Sequence, residues 1–284
     1  MRAQIRRQLT DYVGTAFAIT NSHAIAASGS RRYHGDIFFH RSANMGKYRT
    51  IAILGFTGFL VGVAAVHNVE TAATDEDRFY GAQILERAGY DPALDAFGDL
   101  NIFDNQIVAI LAVQDAVLKA TPIEEGLAHG RPREPKNVLT EGMGICFDRS
   151  RTIEKILTSL EFENRHLAIY STREHGPLRA LMTPRTDSHA LTEVKTGKGW
   201  ILVDSNARWI GLDPDGNVYD AEDIQARDPF TMTWAPEVPE QISWRLFNEP
   251  FTYVIGLYSR HGGFFPPYNP VPDVNYRQLL QNFY

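Results

Sequence analysis

Three strand-like runs lie close together in the second half of this chain: HLAIYST (166–172), HALTEVK (189–195) and GWILVDS (199–205). The last two are separated only by Thr196-Gly197-Lys198, and Gly197-Lys198-Gly199 signals a hairpin turn. A parallel pair would need a crossover of a dozen residues or more, so this pair has to be antiparallel. The strands come after a series of helical patterns and do not alternate with them. That order excludes a doubly wound sheet and points to an α+β fold, with helices packed on an antiparallel sheet. Further strand-like residues occur in NARWIGL (206–212) and FTYVIGLYS (251–259).

Residues 75–89, DEDRFYGAQILERAG, read as a short amphipathic helix ending at Gly89. From about Asp104 to Lys119, Ile107, Ile110, Leu111, Val113, Val117 and Leu118 recur at steps of three and four, which predicts a helix with one buried face. Residues 121–145 hold Pro122, Pro132, Pro135 and four glycines, and read as a loop. Behind that loop, Ile153, Ile156, Leu157 and Leu160 return to helical spacing directly after Cys146.

Charge divides the chain. Residues 1–49 carry eight basic side chains against Asp11 and Asp36, while the remainder is strongly acidic, for a net charge of -6. Between the two parts, TIAILGFTGFLVGVAAV (50–66) has no charge and no proline. Its length is at the short end of what spans a bilayer as a helix. Lys47 and Arg49 before it, and Glu70, Asp75, Glu76 and Asp77 after it, predict a signal-anchor with the N-terminus cytoplasmic. The rest of the chain is then extracytoplasmic. A cleaved signal peptide fits less well, because no small-x-small site follows the apolar run, and a buried core helix is the third reading. Residues 1–49 read as a basic cytoplasmic tail or an over-extended start. Residues 75–284 read as the extracytoplasmic domain, with a core at about 100–215 and an aromatic, Pro-rich wrap over 230–284.

Cys146 is the chain's one cysteine, which rules out an internal disulfide and a multi-cysteine metal site. It stands where Gly142-Met143-Gly144-Ile145 enters a helix. Unsatisfied N–H groups and the macrodipole at a helix N-terminus favour the thiolate there. An imidazole within reach can take the thiol proton, and a carboxylate can hold that imidazole in one orientation. The hairpin supplies both groups. With a two-residue loop, Thr196 faces Gly199 and His189 lies opposite Asn206, diagonal to Asp204 on the same face. With a four-residue loop, His189 faces Asp204 directly. An odd loop would send the two to opposite faces.

The stretches GMGICFDRSRTIEKIL and SHALTEVKTGKGWILVDSN resemble the core of the transglutaminase-like superfamily, a branch of the papain-like cysteine enzymes. The matching elements are Gly144-Ile145-Cys146 opening a helix, His189-Ala190 opening a strand, and Gly199-Trp200 through Asp204 closing the set. The resemblance covers about residues 140–210. It implies a papain-like core with Cys146 as nucleophile, His189 as general base and acid, and Asp204 as the residue that orients His189. It further implies acyl transfer or amide hydrolysis on peptide or protein amides, with no cofactor and no metal. Some members of such families are catalytically idle and only bind a peptide or glycan, which is the alternative reading. The chain departs from the family at Glu163-Asn164-Arg165-His166, where a Gly-Ile-Pro-Ala-Arg-like stretch often stands, and it lacks the papain peptidase signature.

Other functions find little support. The acidic balance and the absence of a basic stripe argue against nucleic-acid binding. There is no His-x-x-x-His, no phosphate loop, and no Glu to complete a calcium loop at Asp213-Pro214-Asp215-Gly216. His166 reads as structural, Trp200 as a core residue, and loop 173–188 with His175 as a possible roof over the cleft.

Overall fold

The computed structural model describes residues 53–58, 61–62, 68–122, 125–128, 131–183, 186–213, 215–226, 242–258 and 273–283. The chain divides into two compact units, Met1–Val66 with Asn282–Tyr284, and His67–Gln281. In the first unit, residues 53–58 and 61–62 are helical, and Ile53, Leu54, Phe56 and Val61 are exposed. The rest of the expected membrane segment 50–66 lies outside the described residues, as do residues 1–49. Among the described residues, no helix is long and apolar enough to cross a membrane.

The second unit is α+β. Helix α1 (Asp75–Ala88) starts at Thr74, whose hydroxyl accepts from the Asp77 N–H while the Asp77 carboxylate accepts from the Thr74 N–H. This reciprocal capping leaves few first-turn donors unpaired. Gly89 ends the helix in the left-handed conformation. Helix α2 (Phe103–Ala120) follows, within a residue or so of the span its periodicity predicts. The expected loop 121–145 contains a helix, α3 (Pro135–Glu141). Pro135 sits in its first turn, where a missing N–H costs nothing, and Gly142 stops it, so the same residues that read as loop are the helix's boundaries. Helix α4 (Cys146–Ser159) then carries the cysteine as its first residue.

Four strands form one antiparallel sheet: β1 (Asn164–Ser171), β2 (Ser188–Thr196), β3 (Gly199–Asp204) and β4 (Phe251–Ile255), in the order β3-β2-β1-β4. Helix α5 (Pro177–Met182) lies within the connection expected to be a plain loop. Thr196 pairs with Gly199 and Leu191 with Asp204, so the hairpin loop is the two-residue Gly197-Lys198. Residues 206–212 form no strand. They fold back on β3 through a single bridge, Val203 with Ile210, and Leu212 makes a further bridge with Val218. The run 251–259 breaks at Gly256, which separates β4 from β5 (Leu257–Tyr258). Gly256 has φ 77°, and a Cβ there would lie 2.6 Å from the Leu279 nitrogen. Only glycine fits that bend. Short elements complete the unit: α6 (Ala221–Ala226), α7 (Ile242–Phe247), β6 (Asp273–Val274) paired with β5, and α8 (Tyr276–Leu279). Residues 227–241 and 259–272 of the expected C-terminal wrap lie outside the described residues.

Side chains alternate across the sheet, so each face has its own core. On one face, Val194, Ile201 and Val203 pack with Ile153, Ile156 and Leu157 of α4, backed by Ile84 of α1 and Ile110, Val113 and Val117 of α2. On the other, Leu167, Ile169, Leu191 and Leu202 meet Trp209, Ile224, Leu246 and Phe247. Trp200 is not a core residue. It is half-buried, with the Arg165 and Lys195 cations 4.1 and 5.1 Å from its ring centroid. Both cations stand on the Trp200 face of the sheet, and their stems and charges cover the ring.

Candidate active site

Helix α4 begins at an apolar residue. Ile145 takes the N-cap position and has no side-chain acceptor to give the first-turn N–H groups. Asp148 compensates from inside the helix. One of its carboxylate oxygens accepts from the Ile145 N–H (3.0 Å) and the Leu127 N–H (3.1 Å), and the other is paired with Arg133. Asp148 and Arg133 are both buried, so this pair fixes the segments around 127 and 133 against the start of the helix. The amides nearest Cys146 are left for the sulfur.

Cys146 is partly exposed and packs beside Phe147, Ala190 and Tyr258. Burial opposes ionisation of its thiol. The neighbouring His189 ring and its charge, with the N–H groups of Ala190 and Phe147, outweigh burial, so the pKa lies below the ordinary thiol value.

His189 is fully buried at the start of β2. Its Nε2 lies 3.0 Å from Oδ1 of Asp204, the last residue of β3. The two-residue turn places them diagonally on one face, as one of the two even-loop registers requires. The other ring nitrogen, Nδ1, is buried without a hydrogen-bond partner of normal geometry. It is the ring nitrogen that Asp204 leaves open, and Cys146 is among the groups that act on the ring. Burial pushes the imidazole towards neutrality, but the Asp204 charge and hydrogen bond, together with Cys146, raise its pKa to about 10. A thiol lowered and an imidazole raised are two views of one proton moving from sulfur to ring.

Asp204 is held from several sides. Its Oδ1 also accepts from the N–H groups of Asn206 (2.7 Å) and Ala207 (3.3 Å). Gln114 of α2 donates Nε2 to the carbonyls of Asp204, Ala207 and Trp209, at 2.7, 3.0 and 2.7 Å. Arg149 of α4 is fully buried and reaches the same turn, donating to the Ser205 carbonyl and Asn206 Oδ1. The structure thus brings together all three residues expected from the sequence. Gln114, Asp148, Arg149 and Asn206 were not anticipated. Asp148 and Arg149 are two of five charged residues on α4 and so gave no distinct signal, and Gln114 gave none either.

His166 is buried, as expected of a structural residue. Its Nδ1 meets both Glu154 Oε1 and Ser150 Oγ, and its ring stacks on Tyr258 with centroids 4.2 Å apart. Serine and carboxylate crowd the same ring nitrogen, so this trio cannot pass a proton along as a Ser-His-acid relay does. A cavity of about 560 Å³ lined by Tyr90, Phe97, Leu111, Gln114, Asp115 and Arg208 contains none of the triad side chains. Among the described residues, no three His, Cys, Asp or Glu side chains are grouped to hold a metal ion. No family model matches the chain, and a search of curated proteins finds no match either.

Proposed function

We propose that this protein is a transglutaminase-like cysteine acyltransferase or amidohydrolase acting on peptide or protein amides through a Cys146 thioester. One observation carries the reading: Asp204 occupies one nitrogen of a buried imidazole at 3.0 Å and leaves the other for a thiol at the first residue of a helix. The packing of α4 on an antiparallel sheet, with histidine and acid on adjacent strands, is what a papain-like core requires.

In the proposed reaction, the Cys146 thiolate attacks the amide carbon and the carbonyl π electrons move to oxygen. The oxyanion forms beside the Cys146 N–H at the helix start. The imidazolium of His189 gives its proton to the amide nitrogen, the C–N bond breaks, and an amine leaves. Neutral His189 then takes a proton from water or an acceptor amine, which attacks the thioester and regenerates the thiolate. Asp204 keeps its charge throughout and balances the imidazolium.

Residues 50–66 are proposed as an N-terminal membrane anchor that holds the domain outside the cytoplasm. The apolar exposed side chains at Ile53, Leu54, Phe56 and Val61 support this, since a lipid surface would cover them. The test is to incubate the protein with a peptide-amide library and a labelled primary amine, quench in acid, and search for acyl mass on Cys146. Acyl adducts in wild type, absent in Cys146→Ser, support the enzyme. An activated thiol that is never acylated leaves the idle peptide- or glycan-binding module.

A further inference from the structure

Arg149 is one of the largest fully buried side chains in the protein, and nothing in the triad chemistry above uses it. It sits three residues after Cys146, on the neighbouring position of the same helix face. Helical side chains lean towards the N-terminus, which brings its guanidinium back to the cysteine end. There it divides its donors between two segments. Nε gives to the Thr121 carbonyl (3.1 Å) and hydroxyl (3.2 Å), and one terminal nitrogen gives to the Pro122 carbonyl (3.4 Å). The other gives to the Ser205 carbonyl (3.4 Å) and Asn206 Oδ1. Asn206 in turn donates its backbone N–H to the Asp204 carboxylate. An unbroken hydrogen-bonded line therefore runs from the cysteine helix through Arg149 to the acid that orients His189.

The charges around Cys146 give this line a second meaning. His189 faces the sulfur from β2, with Asp204 behind it on β3. On α4 itself, Asp148 is neutralised by Arg133, and among the described residues Arg149 has no carboxylate as a hydrogen-bond partner. Among the described residues, Tyr170 of β1 and Tyr258 of β5 also stand near the site, and burial raises both phenols, so they stay neutral. With thiolate, imidazolium and carboxylate formed, the triad carries one net negative charge in a buried setting. The guanidinium cancels it.

We propose that Arg149 is a positioning residue of the site: it ties the Asp204–Asn206 turn to the cysteine helix and supplies the buried cation that balances the ionised triad. This rests on the cysteine-enzyme reading above. The burial of Arg149 disfavours its own charge, while Cys146, Asp148 and Asp204 hold it in place. Arg149→Lys keeps the cation and should keep most of the effect. Arg149→Gln keeps donors for the carbonyls but loses the charge. Asn206→Ala, at a partly exposed position, removes one of the two bonds from Arg149 to the turn and leaves the Ser205 carbonyl bond.

The test is the pH dependence of Cys146 alkylation by iodoacetamide in the intact protein, with circular dichroism and melting temperature checking each variant. The thiol pKa should rise by about one unit or more in Arg149→Gln, the scale of losing one nearby charge. It should move less in Arg149→Lys, and rise by a smaller step in Asn206→Ala. Should Arg149→Gln not fold, Asn206→Ala decides alone. Folded variants with the wild-type thiol pKa overturn the proposal. A wild-type thiol that titrates at its ordinary value and ignores His189→Ala overturns the enzyme reading instead, so the two failures are distinct.

Discussion

Replacing Asp204 by Asn removes one charge from the site and almost nothing else. The carboxylate oxygen that meets His189 Nε2 at 3.0 Å also accepts from the Asn206 and Ala207 N–H groups, and an amide oxygen can accept all three. The Gln114 bonds to the turn go to main-chain carbonyls and survive. What disappears is the anion facing the imidazolium. At 3 Å and an effective dielectric near 20, that attraction is on the order of 5 kcal/mol before solvation is counted. His189 is fully buried, so without the anion desolvation favours the neutral ring, and the thiol keeps its proton. A rise of about 1.5 units in the thiol pKa would cut the thiolate at pH 7 severalfold, with roughly thirtyfold as the upper limit, and the greater nucleophilicity of a more basic thiolate returns part of that. We expect iodoacetamide to label Cys146 about two- to tenfold more slowly at pH 7 in Asp204→Asn, with rates converging above pH 9. A variant that folds normally and whose pH–rate curve overlays wild type refutes the charge argument.

The pair's linkage to stability has a defined sign. The raised His189 contributes stability in full below about pH 6.5, and this declines as pH rises through about 10. The lowered Cys146 contributes in full above its ordinary value, and this declines as pH falls through the folded one. Where the two windows overlap, from the folded Cys146 value up to the ordinary thiol range, the slopes oppose each other, so urea melts should be flatter there in wild type than in Cys146→Ala. In Cys146→Ala, the His189 pKa should also fall below about 10 by imidazole NMR titration, since the sulfur is one of the terms raising it. Asp148→Asn leaves Arg133 buried without its counter-ion and should cost about 3–5 kcal/mol, read by denaturant melts. Gly256→Ala forces a Cβ against the Leu279 backbone and should lower the melting temperature, with β5 and α8 losing amide protection first. Deleting residues 1–66 should move the protein from the membrane pellet to the supernatant while Cys146 alkylation stays unchanged; a pellet-bound deletion product contradicts the anchor.

Local patterns in the sequence carried the main sheet strands, the main helices and the grouping of Cys146, His189 and Asp204, because each rests on short-range rules. The apolar spacing of 107–118 marks α2, and the Gly-Lys turn limits the hairpin to a few registers of which the structure adopts one. Helix α3 was hidden because Pro135 and Gly142 punctuate helices as readily as loops. Residues 206–212 have strand composition, yet Asp204 accepts from Asn206 and Ala207 and turns the chain back on itself. Trp200 looked like core because its size suggests burial, but alternation puts it on a face where Arg165 and Lys195 cover it. The supports of the site were the least legible. Gln114 and Arg149 act across 90 and 57 residues of sequence, and no local period records such a contact.

The most direct measurement is thiolate absorbance near 240 nm as a function of pH, in wild type and His189→Ala. If the imidazole holds the sulfur's proton, wild type shows a thiolate at neutral pH that vanishes on alkylation, and His189→Ala shows none until the ordinary thiol range is reached. Superimposable curves in the two proteins, both rising only in that range, would mean that sulfur and ring do not share a proton.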